Sequence, residues 1–166
     1  VLTIRRRILP YDFDMMLLHL NPGFDPGNHA PLVEWAKAEG LAIHFEVTDF
    51  GPRAHSDENR KNSPCFFCAW HRRKRLFELM GQYGLTHLVM GHNLTDAVTT
   101  FFMNLFKSGR TDAMRPKEEF FQGEFELVRP LLITDKSVIR RACNAWELPL
   151  WENECPSANT SAREAT

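Results

Sequence analysis

Short apolar runs that stop on turn residues, each followed by a helical stretch, recur about every thirty residues in this chain. That rhythm predicts parallel βαβ units. Asp14 to Leu20 reads as a buried strand closed by Asn21-Pro22-Gly23. A helix opens at Asn28 or His29, carries Pro31 in its first turn and stops at Gly40. Leu41 to Val47 is the second strand. The polar stretch from Phe50 to Pro64 predicts a long surface loop. Cys68 to Tyr83 is an amphipathic helix with Leu76, Phe77, Leu79 and Met80 on its apolar side, closed by Gly84. Thr86 to Met90 is the third strand, ending at Gly91-His92-Asn93. Asn93 or Thr95 caps the next helix, which runs through Val98 and the Phe101 to Phe106 stretch to Gly109. Residues 110–124 are irregular, Glu126 to Leu131 is a short extended piece, and Asp135 caps a last helix ending near Trp146. The fold class is therefore α/β, a doubly wound, mostly parallel sheet with flanking helices, in a single domain over residues 1–166.

In such sheets ligands bind beyond the carboxyl ends of the strands. Here those ends carry His19-Leu20-Asn21-Pro22-Gly23 and Gly91-His92-Asn93-Leu94-Thr95-Asp96. A net charge of −1 gives no support for wholesale nucleic-acid binding, although Arg5 to Arg7 and His71 to Arg75 are local basic clusters. No apolar run approaches the ~20 residues of a membrane span, and the start, Val-Leu-Thr-Ile-Arg, has no secretory pattern. Four cysteines without a leader place the chain in the reducing cytoplasm. Val1 falls on what reads as the tail of a helix and Ser161 to Thr166 adds no closing element, so the sequence reads as a fragment trimmed at both ends.

The chemistry lies first in the cysteines. Cys65 and Cys68 form a C-x-x-C pair, and Cys155 sits far downstream in Asn153-Glu154-Cys155-Pro156. Without disulfide-forming conditions such a pair reads as metal or redox chemistry. Thiolates suit zinc and iron–sulfur clusters alike, and the spacing does not choose between them. A three-cysteine cluster would leave one iron open to exogenous sulfur. Cys143, mid-helix, reads as a core thiol. The alternative is two buried cysteines and an unrelated third. At Gly91 to Asp96 a strand-turn-helix offers an anion site, with Asp96 a candidate for Mg²⁺; ordinary helix capping accounts for the same residues. The Phe101 to Phe106 stretch is expected in the core, Arg129-Pro130-Leu131 to be structural, and Arg72 to Arg75 to be a solvated face or a guide for a phosphate backbone.

Taken in order, C-x-x-C with its Arg-rich helix, Leu88-Val89-Met90-Gly91-His92-Asn93, Phe101 to Phe106, Met114-Arg115-Pro116-Lys117, Val128-Arg129-Pro130-Leu131 and Cys155-Pro156 resemble the tRNA 2-thiocytidine synthetase family of PP-loop ATPases, from roughly Asp14 to Asn159. The resemblance implies an adenine-nucleotide-binding α/β fold that uses ATP and Mg²⁺ to adenylate a tRNA base. It implies a [4Fe-4S] cluster on Cys65, Cys68 and Cys155, with Gly91, His92 and Asn21 facing the nucleotide and Asp96 as the acidic catalytic residue. The implied partners are tRNA and a donor of cysteine-desulfurase-derived sulfur, and a homodimer is one admissible assembly. Two departures stand out. The family's Ser-Gly-Gly-x-Asp-Ser phosphate loop would precede Val1, and its paired acids read Thr95-Asp96 here. They keep two other readings open: a degenerate nucleotide-binding domain with structural zinc, and another PP-loop enzyme such as a tRNA-lysidine synthetase.

Overall fold

The computed structural model describes residues 1–25, 27, 29–149 and 155–158. Asn28, Asn153, Glu154 and the segment from Asn159 to Thr166 therefore lie outside the described residues. After a short helix α1 (Leu2–Arg6), strand β1 (Met16–Asn21) pairs in parallel with β2 (Ala42–Val47), Met16 facing Ala42 and Asn21 facing Val47. Helix α2 (Ala30–Ala38) connects them. It ends before Gly40, whose φ of +66° few side chains tolerate. A second sheet has the order β3-β5-β4, from β3 (His87–Val89), β4 (Lys117–Phe120) and β5 (Phe125–Val128). In it β3 runs parallel and β4 antiparallel to β5. Helices α3 (Phe50–Ala54), α4 (Pro64–Tyr83), α5 (Leu94–Ser108) and α6 (Lys136–Ala145) complete the chain.

The core forms where α4 meets strands of both sheets. Leu76, Leu79 and Met80 of α4 cluster with Leu20 of β1, Leu88 of β3 and Leu127 of β5. Leu79 and Met80 are wholly buried. Phe77 extends the cluster to Phe120 and Phe125 at ring-centroid distances of 5.0 and 6.2 Å. On the other side of α4, Arg75 grips Glu46 of β2 through Nε and Nη2, with contacts of 2.9 to 3.0 Å. That pairing holds the Glu46 carboxyl below its usual range, Arg75 being the main cause.

Five sequence expectations change. The stretch from Phe50 to Pro64 is not all loop: it contains α3, whose Gly51 and Ala54 are buried. Gly-Pro is poor helix material, and tertiary contact overrides it. Gly51 N donates to Pro22 O at 2.8 Å, and a Cβ at Gly51 would lie 2.6 Å from the Phe24 ring. Helix α4 begins at Pro64, earlier than Cys68, because Ser63 caps it by accepting from Phe66 N at 3.3 Å. Its first turn is not buried, so it left no apolar period to read. Strand β4 lies inside the supposedly irregular 110–124 region; Lys-Glu-Glu-Phe is a charged edge strand, with Lys117 reaching Glu126 at 2.7 Å. Lastly, no residue of α5 is buried. Leu94, Val98, Phe102 and Phe106 make one exposed stripe at helical spacing, and Phe106 is 73% exposed. Cys143 is half-buried rather than enclosed. No helix among the described residues is long and apolar enough to cross a membrane.

Leu79→Ala removes the side chain at the meeting point of the two sheets. It should cost about 2–5 kcal/mol of unfolding free energy in urea titration, with the slope unchanged.

Candidate functional site

The cysteines are brought together by the way the chain leaves the first sheet. After β2 ends at Val47, α3 folds against the turn that follows β1, and α4 starts at Pro64. Cys65 and Cys68 therefore lie in the first two turns of α4, Cys65 exposed and Cys68 half-buried. Cys155 returns from the far end of the chain. Its Sγ lies 3.8 Å from His55 Nε2, and Ser157 Oγ lies 3.4 Å from the same nitrogen. His55 in turn sets its ring against Phe24 at 5.8 Å. Burial pushes the Cys68 thiol up; Arg72, one turn along, draws it back, and Cys155 and Cys65 push it up again. Both other thiols thus act electrostatically on Cys68, so the three share one corner.

Among the described residues no three His, Cys, Asp or Glu side chains close up as they would around a single ion. Tetrahedral zinc with bonds of 2.3 Å needs its sulfurs about 3.8 Å apart. A cluster attaches each thiolate to a different iron and accepts a wider triangle of ligands. Three soft donors are the ligand chemistry that both zinc and an iron–sulfur cluster take.

The residues at the carboxyl end of β3 form a second constellation. Asn93 Oδ1 accepts from Thr95 N at 2.9 Å and Asp96 N at 3.4 Å, while Asp96 Oδ2 accepts from Asn93 N at 2.9 Å. This reciprocal cap puts the Asp96 carboxylate at the N-terminus of α5 with one oxygen engaged by the backbone. A Cβ at Gly91 would meet nothing within 4 Å, so the space beside that backbone is open. His92 Nδ1 accepts from Arg129 Nε at 3.3 Å. Arg129 is always a donor, so a neutral His92 carries its proton on Nε2.

Arg129 does more than the structural role its sequence context suggests. It is a buried cation at the carboxyl end of β5, with Nη1 donating to Arg115 O at 2.6 Å and to Glu118 Oε1 at 2.9 Å. Its contact with Glu118 could not be read from the sequence, because Glu118 belongs to β4, a strand within the stretch that reads as irregular.

Asn21 ends β1. It is fully buried, its Nδ2 donating to Asp25 O at 2.9 Å and its Oδ1 accepting from Gly23 N at 2.8 Å. The Asn21 carbonyl accepts from both Thr48 N and Thr48 Oγ1. Gly23, at φ +93°, passes so close that a Cβ would collide with the Thr48 carbonyl oxygen. Asn21 therefore shapes the turn that places Phe24 under His55. Beside it on β1, His19 Nε2 lies 2.7 Å from His29 Nδ1, and its ring stacks on Phe45 at 5.6 Å.

No family model matches the sequence. The chain is 30% identical over 162 residues to the tRNA-cytidine(32) 2-sulfurtransferase of Syntrophotalea carbinolica, covering 97% of this chain and 62% of that protein. It is 31% identical over 134 residues to the protein of the same name from Bordetella petrii, 79% of this chain and 40% of the relative. A third, from Geobacter sulfurreducens, is 26% identical over 156 residues, 94% of this chain and 61% of the relative. The chain thus spans less than two thirds of the length of these relatives. Among solved structures it is similar to the U34-tRNA thiolase NcsA from Methanococcus maripaludis, which has its [4Fe-4S] cluster. The TM-score is 0.76 at 19% identity, over 99% of this chain and 56% of that one. At that identity the likeness establishes the fold, and the α/β expectation holds.

Burial, His29 and Arg72 together lower the His19 pKa from 6.5 to about 4. The unfolded chain takes up this proton from about pH 6.5 downward and the native one only near pH 4, so acidification across that window favours unfolding. Urea midpoints should fall between pH 7 and 5, and His19→Gln should flatten that part of the profile.

Proposed function

We propose that this chain, a relative of the tRNA 2-thiocytidine synthetases among the PP-loop ATPases, is the cluster-bearing and base-modifying part of an ATP-dependent tRNA sulfurtransferase. The observation that carries the reading is the shared corner of Cys65, Cys68 and Cys155, where Cys68 feels both other thiols. Two of the residues come from one helix start and the third from a turn far along the chain, an arrangement suited to gripping a cluster.

In this reading the carbonyl oxygen of the target cytosine attacks the α-phosphorus of ATP and pyrophosphate departs. The adenylated carbon becomes electrophilic, sulfur bonds to it, and AMP leaves with the former carbonyl oxygen. Cys65, Cys68 and Cys155 would hold a [4Fe-4S] cluster, which would supply a place for donor-derived sulfur. The remaining work belongs to the protein's own groups. The N-terminus of α5 presents N–H groups and a favourable dipole to phosphate, and the open space at Gly91 admits it. His92, held by Arg129, stands immediately before that helix start. Asp96 would help to hold Mg²⁺, which offsets phosphate charge.

One observation favours the non-catalytic alternative. The Asp96 carboxylate already serves the helix cap, and Thr95 replaces its acidic neighbour.

The two readings part on the metal. Reconstituted anaerobically with iron and sulfide, the protein should turn brown with broad visible absorbance. Cys65→Ala, Cys68→Ala and Cys155→Ala should each remove most of that colour, and Cys143→Ala should keep it. A colourless protein that purifies with one zinc per chain would sink the thiolation reading.

A further inference from the structure

The first two turns of α4 carry more than cysteines. Asn62, Phe66, Phe67, Trp70 and His71 line a shallow cleft of about 240 Å³ immediately beside the thiol pair. Phe66 and Trp70, one helical turn apart, are 58% and 51% exposed. Large aromatic surface left in water on successive turns is not accounted for by the core, which lies on the opposite face at Leu76, Leu79 and Met80. Cations attend the rings. Lys74 Nζ sits 5.9 Å from the centre of the Trp70 ring, and the Arg53 guanidinium sits 5.8 Å from that of Phe67. From Asn59 to Lys74 the chain holds Arg60, Lys61, Arg72, Arg73 and Lys74 and no acid.

We propose that this cleft is a stacking subsite for an unpaired nucleobase of the RNA substrate, with Trp70 and Phe66 as the platform and the flanking cations meeting the backbone phosphates. The proposal rests on the thiolation reading for the identity of the polymer. Three features choose this occupant. A volume of 240 Å³ is below the ~300–1,000 Å³ of pockets for drug-sized ligands, and a single planar base needs less. Exposed aromatic faces bordered by Arg and Lys are the means by which single-stranded nucleic acid is held, the ring taking the base and the cation the phosphate. The acid-free run from Asn59 to Lys74 complements a polyanion, although Arg53 also pairs with Asp49 and Glu58 and Lys74 with Glu78. A base stacked here would lie within one helical turn of Cys65 and Cys68. The cleft would thus bring the RNA loop to the thiol corner by a contact indifferent to base identity, leaving sequence selection to other groups.

The test titrates the full chain into a short single-stranded RNA carrying 2-aminopurine, whose fluorescence is quenched when the base stacks, and into the same RNA with an abasic site at that position. The wild type should quench the probe and bind the abasic RNA more weakly. Trp70→Leu should weaken binding of the intact RNA by about 5-fold to 100-fold, the usual loss for one stacked base. Trp70→Phe should restore most of it. Phe66→Leu, on the solvent side of the helix, provides a second variant should Trp70→Leu misfold by circular dichroism. Lys74→Ala should reduce the salt dependence of binding, a change the Leu variants should not produce. Unchanged affinity in Trp70→Leu and Phe66→Leu, with the wild type still binding RNA, overturns the stacking proposal alone. A wild type that ignores RNA altogether defeats the proposal together with the RNA part of the functional reading. Conversion of a dimer to monomers by Trp70→Leu in sedimentation would instead assign the cleft to a contact between two copies, and the proposal would fall.

Discussion

Everything in this structure hangs on the apolar face of α4. Leu76, Leu79 and Met80 touch the inner side chains of β1, β3 and β5 in one cluster. The two sheets share no ladder among the described residues, so this packing carries the mechanical link between them. At about 1.5–3 kcal/mol for each buried side chain it is also the strongest such link available. The Arg75–Glu46 grip supplements it at the helix's solvent edge, where exposed pairs contribute little. Once that face is fixed, the rest of the helix has no freedom. Its N-terminus must lie by the turn after β1, and the residues it carries there must face outward.

That placement explains what could be read from the sequence and what could not. Apolar period and stop residues marked β1, α2, β2 and β3 well, because burial and glycine chemistry act locally there. Gly40 and Gly84 adopt positive φ at 66° and 64°, so the chain itself dictates those stops. The start of α4 was missed for the opposite reason. Its first turn is exposed and is held by a Ser63 cap and Pro64, which leave no apolar pattern. Likewise α3 exists only because Gly51 approaches Phe24 and Pro22, partners far away in sequence. The charged edge strand β4 is recognisable once β5 is there to pair with it. The α5 stripe looked like core because a helical apolar period says only that one face is apolar; it does not say that anything covers it.

The same division runs through the site. The residue types at 65, 68 and 155 announced thiolate chemistry, and their gathering into one corner is a property of the fold. Asn21 was picked out correctly as a strand-end residue, yet its side chain is consumed by the turn it builds. Asp96 was read both as an acid for metal and as a cap, and the geometry supplies the cap. Arg129 is the residue that sequence reasoning undervalued. A guanidinium removed from water needs several acceptors, and it finds Arg115 O and Glu118 at β4 and His92 in the loop after β3. Such a cation ties β4 and β5 to the loop after β3, so the orientation of His92 is as firm as the sheet.

The electrostatics of the thiol corner follow from the same helix. Burial opposes a thiolate at Cys68, and the neighbouring Cys155 and Cys65 oppose it further. Two sources of positive potential are built in: the N-terminal end of a 20-residue helix, whose first turn contains Cys65, and Arg72 one turn beyond Cys68. Arg72 also bears on His19, where it helps to keep that imidazole uncharged. A protonated His19 would add a second cation beside Arg72 inside a half-buried cluster of rings. A neutral His19, stacked on Phe45 and beside His29, lets the helix bring its positive charge close to the sheet without that repulsion. Soft donors, the charge that stabilises them and the packing that keeps both in place thus come from one amphipathic helix and the strand it covers.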